Sequence, residues 1–207
     1  PGELRSKRLP DLRIVAQIGG QPGPGWMAFD QLSENATGKH TLELEDIAQT
    51  LDRNDPINIQ FTSGTTGLPK GAMLSFDNAL FKTAACASAN GVGTDDVLLA
   101  IAPMYHIAGM LMGINVTLFT GATTVLLHRF DPLAVLQAIA RHRVSWWYSI
   151  APMNVACMAV PSAREFDLSS LRVNPVTSFG ITFTEPLAQQ WRGCAPQCES
   201  FEAAYGL

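Results

Sequence analysis

Residues 57–75 read Ile-Asn-Ile-Gln-Phe-Thr-Ser-Gly-Thr-Thr-Gly-Leu-Pro-Lys-Gly-Ala-Met-Leu-Ser, and they carry the clearest chemical signal in the chain. Ile57, Ile59 and Phe61 alternate with unlike neighbours, which predicts a short strand that stops where glycine and hydroxyl residues begin. In the loop that follows, up to Gly71, glycines allow backbone N–H groups to turn inward as an anion-binding nest. Hydroxyl groups and the ammonium group of Lys70 add further donors. The loop therefore suits a polyphosphate ligand.

The spacing of this loop differs from that of the Walker A phosphate loop. That motif requires G-x-x-x-x-G-K-[ST], whereas Pro69 precedes Lys70 here and Gly71 follows it. A glycine-rich loop is in most proteins only a turn, so composition alone leaves both interpretations open. If the loop binds phosphate, its hydroxyl groups and lysine are the ligands, and its glycines provide the backbone geometry. The candidates are Thr62, Ser63, Gly64, Thr65, Thr66, Gly67 and Lys70.

Residues 62–71, Thr-Ser-Gly-Thr-Thr-Gly-Leu-Pro-Lys-Gly, resemble position for position the phosphate loop of the adenylate-forming (AMP-binding) enzymes. That superfamily includes acyl-CoA synthetases, luciferases and the adenylation domains of peptide synthetases. The preceding residues 54–61, Asn-Asp-Pro-Ile-Asn-Ile-Gln-Phe, are most similar to its fatty-acyl-CoA ligase branch. The resemblance implies that the chain is part of the large N-terminal domain of such an enzyme.

The resemblance also implies a two-step reaction that uses ATP, Mg²⁺ and CoA. A carboxylate, expected to be that of a fatty or other apolar acid, attacks the α-phosphorus of ATP and gives acyl-AMP and pyrophosphate. A thiol, usually that of CoA, then displaces AMP to form a thioester. Lys70 is the candidate catalytic cation, because a mobile point charge can follow the departing pyrophosphate.

A second candidate catalytic residue lies in residues 102–109, Ala-Pro-Met-Tyr-His-Ile-Ala-Gly. A histidine among apolar residues is more often a satisfied core residue than a catalytic one. This segment, however, is similar to a histidine-containing motif of the same superfamily, in which the histidine or an aromatic residue borders the pocket for the acyl carboxylate. The resemblance implies that His106 orients or shields the substrate carboxylate and does not act as a nucleophile.

Two later segments resemble the parts of the superfamily that contact adenine. Residues 177–181, Thr-Ser-Phe-Gly-Ile, stand where relatives show Ser-Gly-Gly-Ala-Pro, so Gly180 is a candidate contact and Phe179 is larger than the glycine it replaces. Tyr205 and Gly206 match the start of a Tyr-Gly-x-Thr-Glu motif, whose tyrosine stacks on adenine. The ribose-binding aspartate motif, the hinge and the small C-terminal domain have no counterpart here, so we expect a partial N-terminal domain.

The order of predicted elements indicates an α/β fold. Strands alternate with helices from residue 56 onward, which is typical of a layered βαβ sheet with right-handed crossovers. We predict a phosphate loop and βαβ core over residues 56–207 and a leading segment without motifs over residues 1–55. The predicted strands are 12–18, 57–61, 97–101, 123–127 and 144–150, and the predicted helices are 29–35, 42–51, 76–90, 107–120, 132–143, 151–160 and 184–192.

Composition narrows the classes of function. Charged residues make up 15% of the chain and hydrophobic residues 47%, so much of it is expected to be buried. A net charge of −4 without a cluster of lysine and arginine argues against nucleic-acid binding. The four cysteines are scattered, which is typical of reduced thiols in a cytoplasmic protein. No residue is predicted to bind a metal.

One long uncharged segment needs an explanation. Residues 97–127 contain no Asp, Glu, Lys or Arg, and their length alone would suggest a membrane span. Pro103, Gly109, Gly113 and Gly121 interrupt the segment, which predicts three buried elements in succession instead. A peripheral contact with a membrane stays open, since enzymes that act on lipids often need one.

Three functions stay open on the sequence. The first is an acyl-CoA ligase for an apolar carboxylic acid, and the second is an adenylating enzyme that passes the acyl group to a carrier protein. The third is a truncated, non-catalytic module that binds nucleotide weakly. Because the later motifs are absent, we expect this chain to be inactive by itself. We also expect it to self-associate, since an incomplete sheet leaves edges and apolar surface uncovered.

Overall fold

The computed structural model describes residues 6–62 and 67–203, and the chain divides into two compact units, Pro1–Asp52 and Arg53–Leu207. The predicted domain boundary at residue 55 stays a prediction. Several predicted nucleotide contacts lie outside the described ranges, namely Ser63, Gly64, Thr65, Thr66, Tyr205 and Gly206.

The first unit contains a short pair of parallel strands and two helices. These elements are β1, Ala16–Gln17; β2, Met27–Ala28; α1, Asp30–Glu34; and α2, Gly38–Thr50. Both predicted helices are confirmed, although α2 begins earlier than predicted. The strand predicted over residues 12–18 is wrong over most of its length. The chain turns directly after Gln17, whose side-chain amide donates to the carbonyl oxygens of Gly19 and Gln21.

The second unit alternates strands with helices along the chain. It begins with β3, Pro56–Phe61; β4, Gly71–Ser75; α3, Phe76–Ala89; β5, Val97–Ala100; a π-helical segment, Gly109–Asn115; α4, Val116–Thr120; and β6, Thr123–Leu126. It continues with α5, Pro132–His142; β7, Trp146–Trp147; β8, Ser149–Ile150; α6, Ala151–Met158; a 3-10 turn, Ala163–Glu165; β9, Val173–Thr177; α7, Glu185–Arg192; and β10, Glu199–Glu202.

A parallel sheet forms the centre of the second unit. Its strands follow the order β10-β9-β7-β5-β6, with β8 also paired to β9, and every pair is parallel. The predicted α/β layered sheet is therefore confirmed. Sequence patterns miss β9 and β10, because Pro175 lies inside β9 and two glutamates flank β10. Burial and pairing outweigh these local preferences.

The phosphate loop lies at the tip of a β-hairpin. Strands β3 and β4 pair antiparallel, and Phe61 stands opposite Gly71. The prediction places a helix directly after the loop and misses β4, since only the pairing with β3 makes a strand of residues 71–75. Helix α3 then begins as predicted, with the Ser75 hydroxyl accepting from the Asn78 backbone N–H at 3.2 Å.

The central sheet is covered on both faces by separate apolar cores. Successive strand residues point to opposite sides, so Leu98 and Trp146 pack in one core while Leu99 and Trp147 pack in the other. The rings of Trp147 and Trp191 lie 5.9 Å apart and tilted at 57°, which joins α7 to the second core. Both adjacent tryptophans are thus buried structural residues.

The uncharged segment over residues 97–127 forms three successive elements, as predicted: β5, a helix that contains the π-helical segment, and β6. The prediction that all three are buried is wrong for the outer face of the helix, because the helix contacts the sheet along one side only. Leu118 and Phe119 are 77% and 51% exposed. Within the two described ranges, no helix is long and apolar enough to cross a membrane.

Candidate nucleotide and acid site

The neck of the phosphate loop is closed by two of the predicted ligands. The Thr62 backbone N–H donates to the Lys70 carbonyl oxygen at 2.9 Å, and the Lys70 backbone N–H donates to the Thr62 hydroxyl oxygen at 3.3 Å. Thr62, Gly67 and Lys70 are all exposed. Because the Thr62 hydroxyl only accepts in this contact, its own hydrogen stays available for an anion. The neck therefore holds a donor hydroxyl and a lysine at the same end of the hairpin.

His106 lies at the start of the helix that crosses the sheet. Its Nδ1 accepts the backbone N–H of Ala108 at 3.1 Å, which is the arrangement of a side-chain N-cap. In a neutral ring the proton must then lie on Nε2, because a nitrogen that accepts a hydrogen bond carries no hydrogen. The exposed His106 side chain thus offers an N–H donor, which suits the predicted role of orienting a carboxylate.

Two polar side chains connect the hairpin to the segment that carries His106. The Gln60 side-chain amide donates to the Tyr105 carbonyl oxygen at 3.3 Å, and the Asn58 amide lies 3.0 Å from the Met110 sulfur. Both side chains are half-buried, whereas the apolar side chains of the same strand are exposed. Sequence reasoning missed these contacts. The available signal was the polar residue at every second position of an apolar strand.

Two glycines bring the helix close to the turn before His106. A Cβ on Gly109 would lie 2.2 Å from the Pro103 carbonyl oxygen and 2.6 Å from that of Ala102, so no side chain fits. A Cβ on Gly113 would lie 3.1 Å from the Ala100 Cβ. The backbone of the helix therefore rests directly on the end of β5 and on the turn that presents His106.

An apolar cavity lies beside this turn. It encloses about 200 Å³, including open solvent at its mouth, and its walls are almost entirely apolar. Leu99 and Ala102 come from β5 and the turn, Gly109 and Met112 from the helix, and Tyr148 from the break between β7 and β8. The Tyr148 hydroxyl lies 2.9 Å from the Thr177 hydroxyl. The cavity thus places apolar side chains next to the His106 turn.

Gly180 lies in a tight turn after β9. Its φ of 69° is left-handed, and no heavy atom lies within 4 Å of a Cβ built on it, so the glycine serves the conformation of the turn rather than a close contact. Phe179 is 68% exposed. Since β9 and β5 are parallel, Gly180 and His106 both follow carboxyl ends of strands, where open α/β sheets bind ligands.

Two ionisable side chains outside the candidate site, Asp96 and Cys157, have an altered pKa. Burial alone raises the pKa of Asp96, but hydrogen bonds from Arg172, Ser145 and Gly93 outweigh it, so the pKa is lowered. Burial raises the pKa of Cys157 to about 12, which makes this thiol unreactive. Within the described part of the chain, no group of three or more His, Cys, Asp and Glu residues could hold a metal ion.

Comparisons with known proteins identify the family of the chain. A family model described as AMP-binding enzyme matches residues 6–207. The medium-chain acyl-CoA ligase ACSF2, mitochondrial, of Macaca fascicularis is 38% identical over 178 residues, which cover 83% of this chain and 29% of that protein. The same ligase of Homo sapiens is 36% identical over 183 residues, with the same coverage. The chain thus spans less than a third of these curated relatives.

Solved structures give the same result. The ATP-bound MatB from Rhodopseudomonas palustris is 26% identical, with a TM-score of 0.63 over 73% of this chain and 30% of that chain. The N-terminal domain of FACL13 from Mycobacterium tuberculosis, at 24% identity, shares the fold with a TM-score of 0.67 over 90% of this chain and 46% of that one. With the family model matching nearly its whole length, the chain belongs to the AMP-binding, adenylate-forming enzyme family.

Proposed function

We propose that the protein containing this chain activates a carboxylic acid with ATP and transfers the acyl group to CoA. The observation that supports this most strongly is the contact between the hairpin neck, with Thr62 and Lys70, and the segment that carries His106, made through Gln60 and Asn58. This contact joins the hairpin that carries Thr62 and Lys70 to the segment that carries His106, which supports a shared site for phosphate and carboxylate. The relatives named acyl-CoA ligases are consistent with that reaction.

In the first step, a carboxylate oxygen forms a bond to the α-phosphorus of ATP, and the bond from that phosphorus to the bridging oxygen of pyrophosphate breaks. The residues proposed to bind the phosphates supply donors where negative charge builds up on the leaving group. Lys70 contributes a mobile positive charge, and Thr62, Ser63, Thr65 and Thr66 contribute hydroxyl hydrogens. Mg²⁺ is the proposed metal cofactor, and it would neutralise negative charge on the phosphates of ATP.

His106 is proposed to hold the carboxylate for attack. Its Nε2–H can donate to one carboxylate oxygen while the other oxygen approaches phosphorus. The Ala108 N–H on Nδ1 keeps the proton on the side that faces outward. On the nucleotide side, Gly180, Tyr205 and Gly206 are the proposed adenine contacts. In the second step, the CoA sulfur forms a bond to the acyl carbon, and AMP leaves with the electron pair of the broken C–O bond.

The acid is proposed to be apolar, and a fatty acid is the preferred candidate. The supporting observation is the apolar cavity beside the His106 turn, with Leu99, Met112 and Tyr148 among its walls. A panel of acids from two to sixteen carbons would show a preference for long polar acids if this assignment were wrong.

The test of the function is ATP–pyrophosphate exchange by the full-length parent protein in the presence of an apolar acid. Exchange should depend on the acid, and Lys70→Ala should lower its rate by roughly 10²–10³. The exposed Lys82 on α3 gives a matched control, and Lys82→Ala should leave the rate unchanged. The 207-residue chain is proposed to give no exchange by itself. The proposed function would be ruled out if the exchange rate were the same with and without the acid. Full activity of the Lys70→Ala variant would also rule it out.

The compartment proposed is the cytoplasm. All four cysteines are free and buried, which suits a reducing compartment. The ACSF2 relatives are named as mitochondrial, so fractionation of cells that express the full-length protein tests the choice directly. Recovery with mitochondrial markers would contradict the cytoplasmic proposal.

A further inference from the structure

A carboxylate joins two neighbouring strand ends on the ligand-binding edge of the sheet. Glu202 at the end of β10 accepts the Ser178 backbone N–H on Oε1 at 2.9 Å and the Ser178 hydroxyl on Oε2 at 2.6 Å. The Ser178 hydroxyl oxygen in turn accepts the Phe183 backbone N–H at 2.9 Å. We name these three hydrogen bonds among Ser178, Phe183 and Glu202 the 178–202 clamp. It closes the turn over residues 178–183.

We propose that Glu202 is a positioning residue, which fixes this turn against the nucleotide base and thereby sets the preference for adenine. The proposal rests on the proposed function, since it assigns Gly180 to the base. Glu202 is not itself proposed to touch the nucleotide. It acts through Ser178, whose amide and hydroxyl it holds at the same time.

The turn has little else to hold it. A Cβ on Gly180 would meet no heavy atom within 4 Å, so the Cβ side of this residue faces open space. Phe179 and Ile181, which form a short antiparallel bridge across the tip, are both exposed. Side-chain packing therefore contributes little to the position of the turn. Hydrogen bonds to a carboxylate are stronger than those between neutral groups, so the clamp is the main contact that orders it.

The clamp also joins the turn to the chain at the end of β10. The Ala203 N–H donates to the Val176 carbonyl oxygen at 2.8 Å, so the chain after Glu202 continues alongside the end of β9. Tyr205 and Gly206 follow in the sequence and lie outside the described residues. Glu202 thus stands where a single side chain joins the end of β10 to the turn after β9. Local sequence gives no sign of this, because the partners are 24 residues apart.

The experiment compares ATP with ITP, which differs from ATP only in the base, in the full-length protein. Glu202→Ala and Ser178→Ala should raise the KM for ATP by roughly ten-fold, as expected for loss of one charged hydrogen bond, and bring the ATP and ITP values together. The KM for the acid should stay within about two-fold. Ser178→Thr keeps the hydroxyl and should restore the preference for ATP. Glu199→Ala, on the same strand with its side chain exposed, is the matched control.

A merely structural role would give a different pattern. If Glu202→Ala changed the KM values for acid and ATP equally, or kept the preference for ATP over ITP, the inference would be wrong. The same holds if Glu199→Ala matched Glu202→Ala. Hydrogen exchange of the Ser178 and Phe183 amides provides an independent readout, and both should lose protection in Glu202→Ala while the melting temperature stays near that of Glu199→Ala.

Failure of the inference can be separated from failure of the proposed function. If the wild-type protein makes no acyl-AMP, the proposed function fails, and direct titration of ATP and ITP binding then tests the clamp. A preference for ATP that disappears in Glu202→Ala would still support the inference. Acyl-AMP formation with an unchanged base preference in Glu202→Ala would overturn the inference alone, and absence of any nucleotide binding would overturn both.

Discussion

His106 combines an observed structural contact with a proposed chemical role. Its Nδ1 caps the helix through the Ala108 N–H, and the same hydrogen bond leaves Nε2 as the donor nitrogen. The tautomer is thus determined by the backbone rather than by a second side chain. An N-cap normally comes from Ser, Thr, Asp or Asn, so a histidine in this place adds a directed N–H that those residues do not provide in the same position.

Replacement of His106 separates the two roles. His106→Ala removes both, whereas His106→Asn keeps an N-cap but lacks the ring donor. We expect both variants of the full-length protein to raise the KM for the acid by about ten-fold and to change the KM for ATP far less. His128→Ala, at an exposed histidine, is the control. If His106→Asn had the wild-type KM for the acid, His106 would serve only as a helix cap. Equal changes in the KM values for acid and ATP would contradict the assignment.

Asp96 is a half-buried carboxylate that connects the starts of neighbouring strands. It accepts from both Arg172 and the Ser145 hydroxyl, at 2.7 Å and 2.6 Å, and these bonds tie the starts of three strands together. Because the pKa of Asp96 is lower in the folded state than its ordinary value of 3.8, the ionised form favours folding. This stabilisation is complete above the ordinary pKa and is lost as the pH falls through the lowered, folded-state value.

Asp96→Asn should therefore lower the free energy of unfolding at pH 7 by about 1–3 kcal/mol, measured with urea. The difference between wild type and variant should shrink as the pH falls below about 4, because the wild-type carboxyl then becomes neutral. Asp95→Asn, at the exposed neighbouring position, should have little effect at either pH. A difference that stays constant down to pH 3 would show that the charge of Asp96 contributes nothing.

At the scale of elements, glycine allows the helix over the sheet to approach the end of β5 closely. The π-helical segment Gly109–Asn115 lies against β5, and Gly109 allows its backbone to approach the carbonyl oxygens of Ala102 and Pro103. A π-helical turn inserts one residue relative to an α-helix and is frequent at functional sites. Here it lies directly after His106 and lines the apolar cavity.

Gly109→Ala should destabilise the chain by about 1–3 kcal/mol, because the atoms that a Cβ would meet at 2.2 and 2.6 Å belong to the backbone and cannot rotate away. The variant should also raise the KM for the acid in the full-length protein, since the turn with His106 has to move. Gly93→Ala is the matched control, because no heavy atom lies within 4 Å of a Cβ there. Equal melting temperatures for the two variants would refute this account of the packing.

At the scale of the whole molecule, the second unit exposes several large apolar side chains. Phe61 and Met73 on the hairpin are 65% and 68% exposed, and Phe81 on α3 is 74% exposed. Contiguous patches of exposed apolar side chains are unfavourable in water. Such patches commonly mark interaction sites. The hairpin also turns its polar residues Asn58 and Gln60 inward, which leaves its apolar side facing out.

We therefore expect the 207-residue chain to self-associate with rising concentration, as measured by light scattering. The double variant in which threonine replaces both Phe61 and Met73 should associate more weakly, because it exposes less apolar area. Threonine is suited to strands, so the hairpin should be kept. Replacing the exposed Glu165 and Glu199 with glutamine makes the control pair. A strictly monomeric wild type at high concentration, or equal association of the two double variants, would contradict the expectation.

The sequence alone predicted the alternation of strands and helices in the second unit and the positions of α3 and α5, because these depend on neighbours within a few positions. The phosphate-binding character of residues 62–71 stays a prediction. The sequence missed β4, β9 and β10, whose residues become strands only by pairing with distant partners. The contacts of Gln60 with the His106 segment and of Glu202 with Ser178 also join residues 24 or more positions apart. Such contacts depend on how the elements pack in space, so only the tertiary structure decided them.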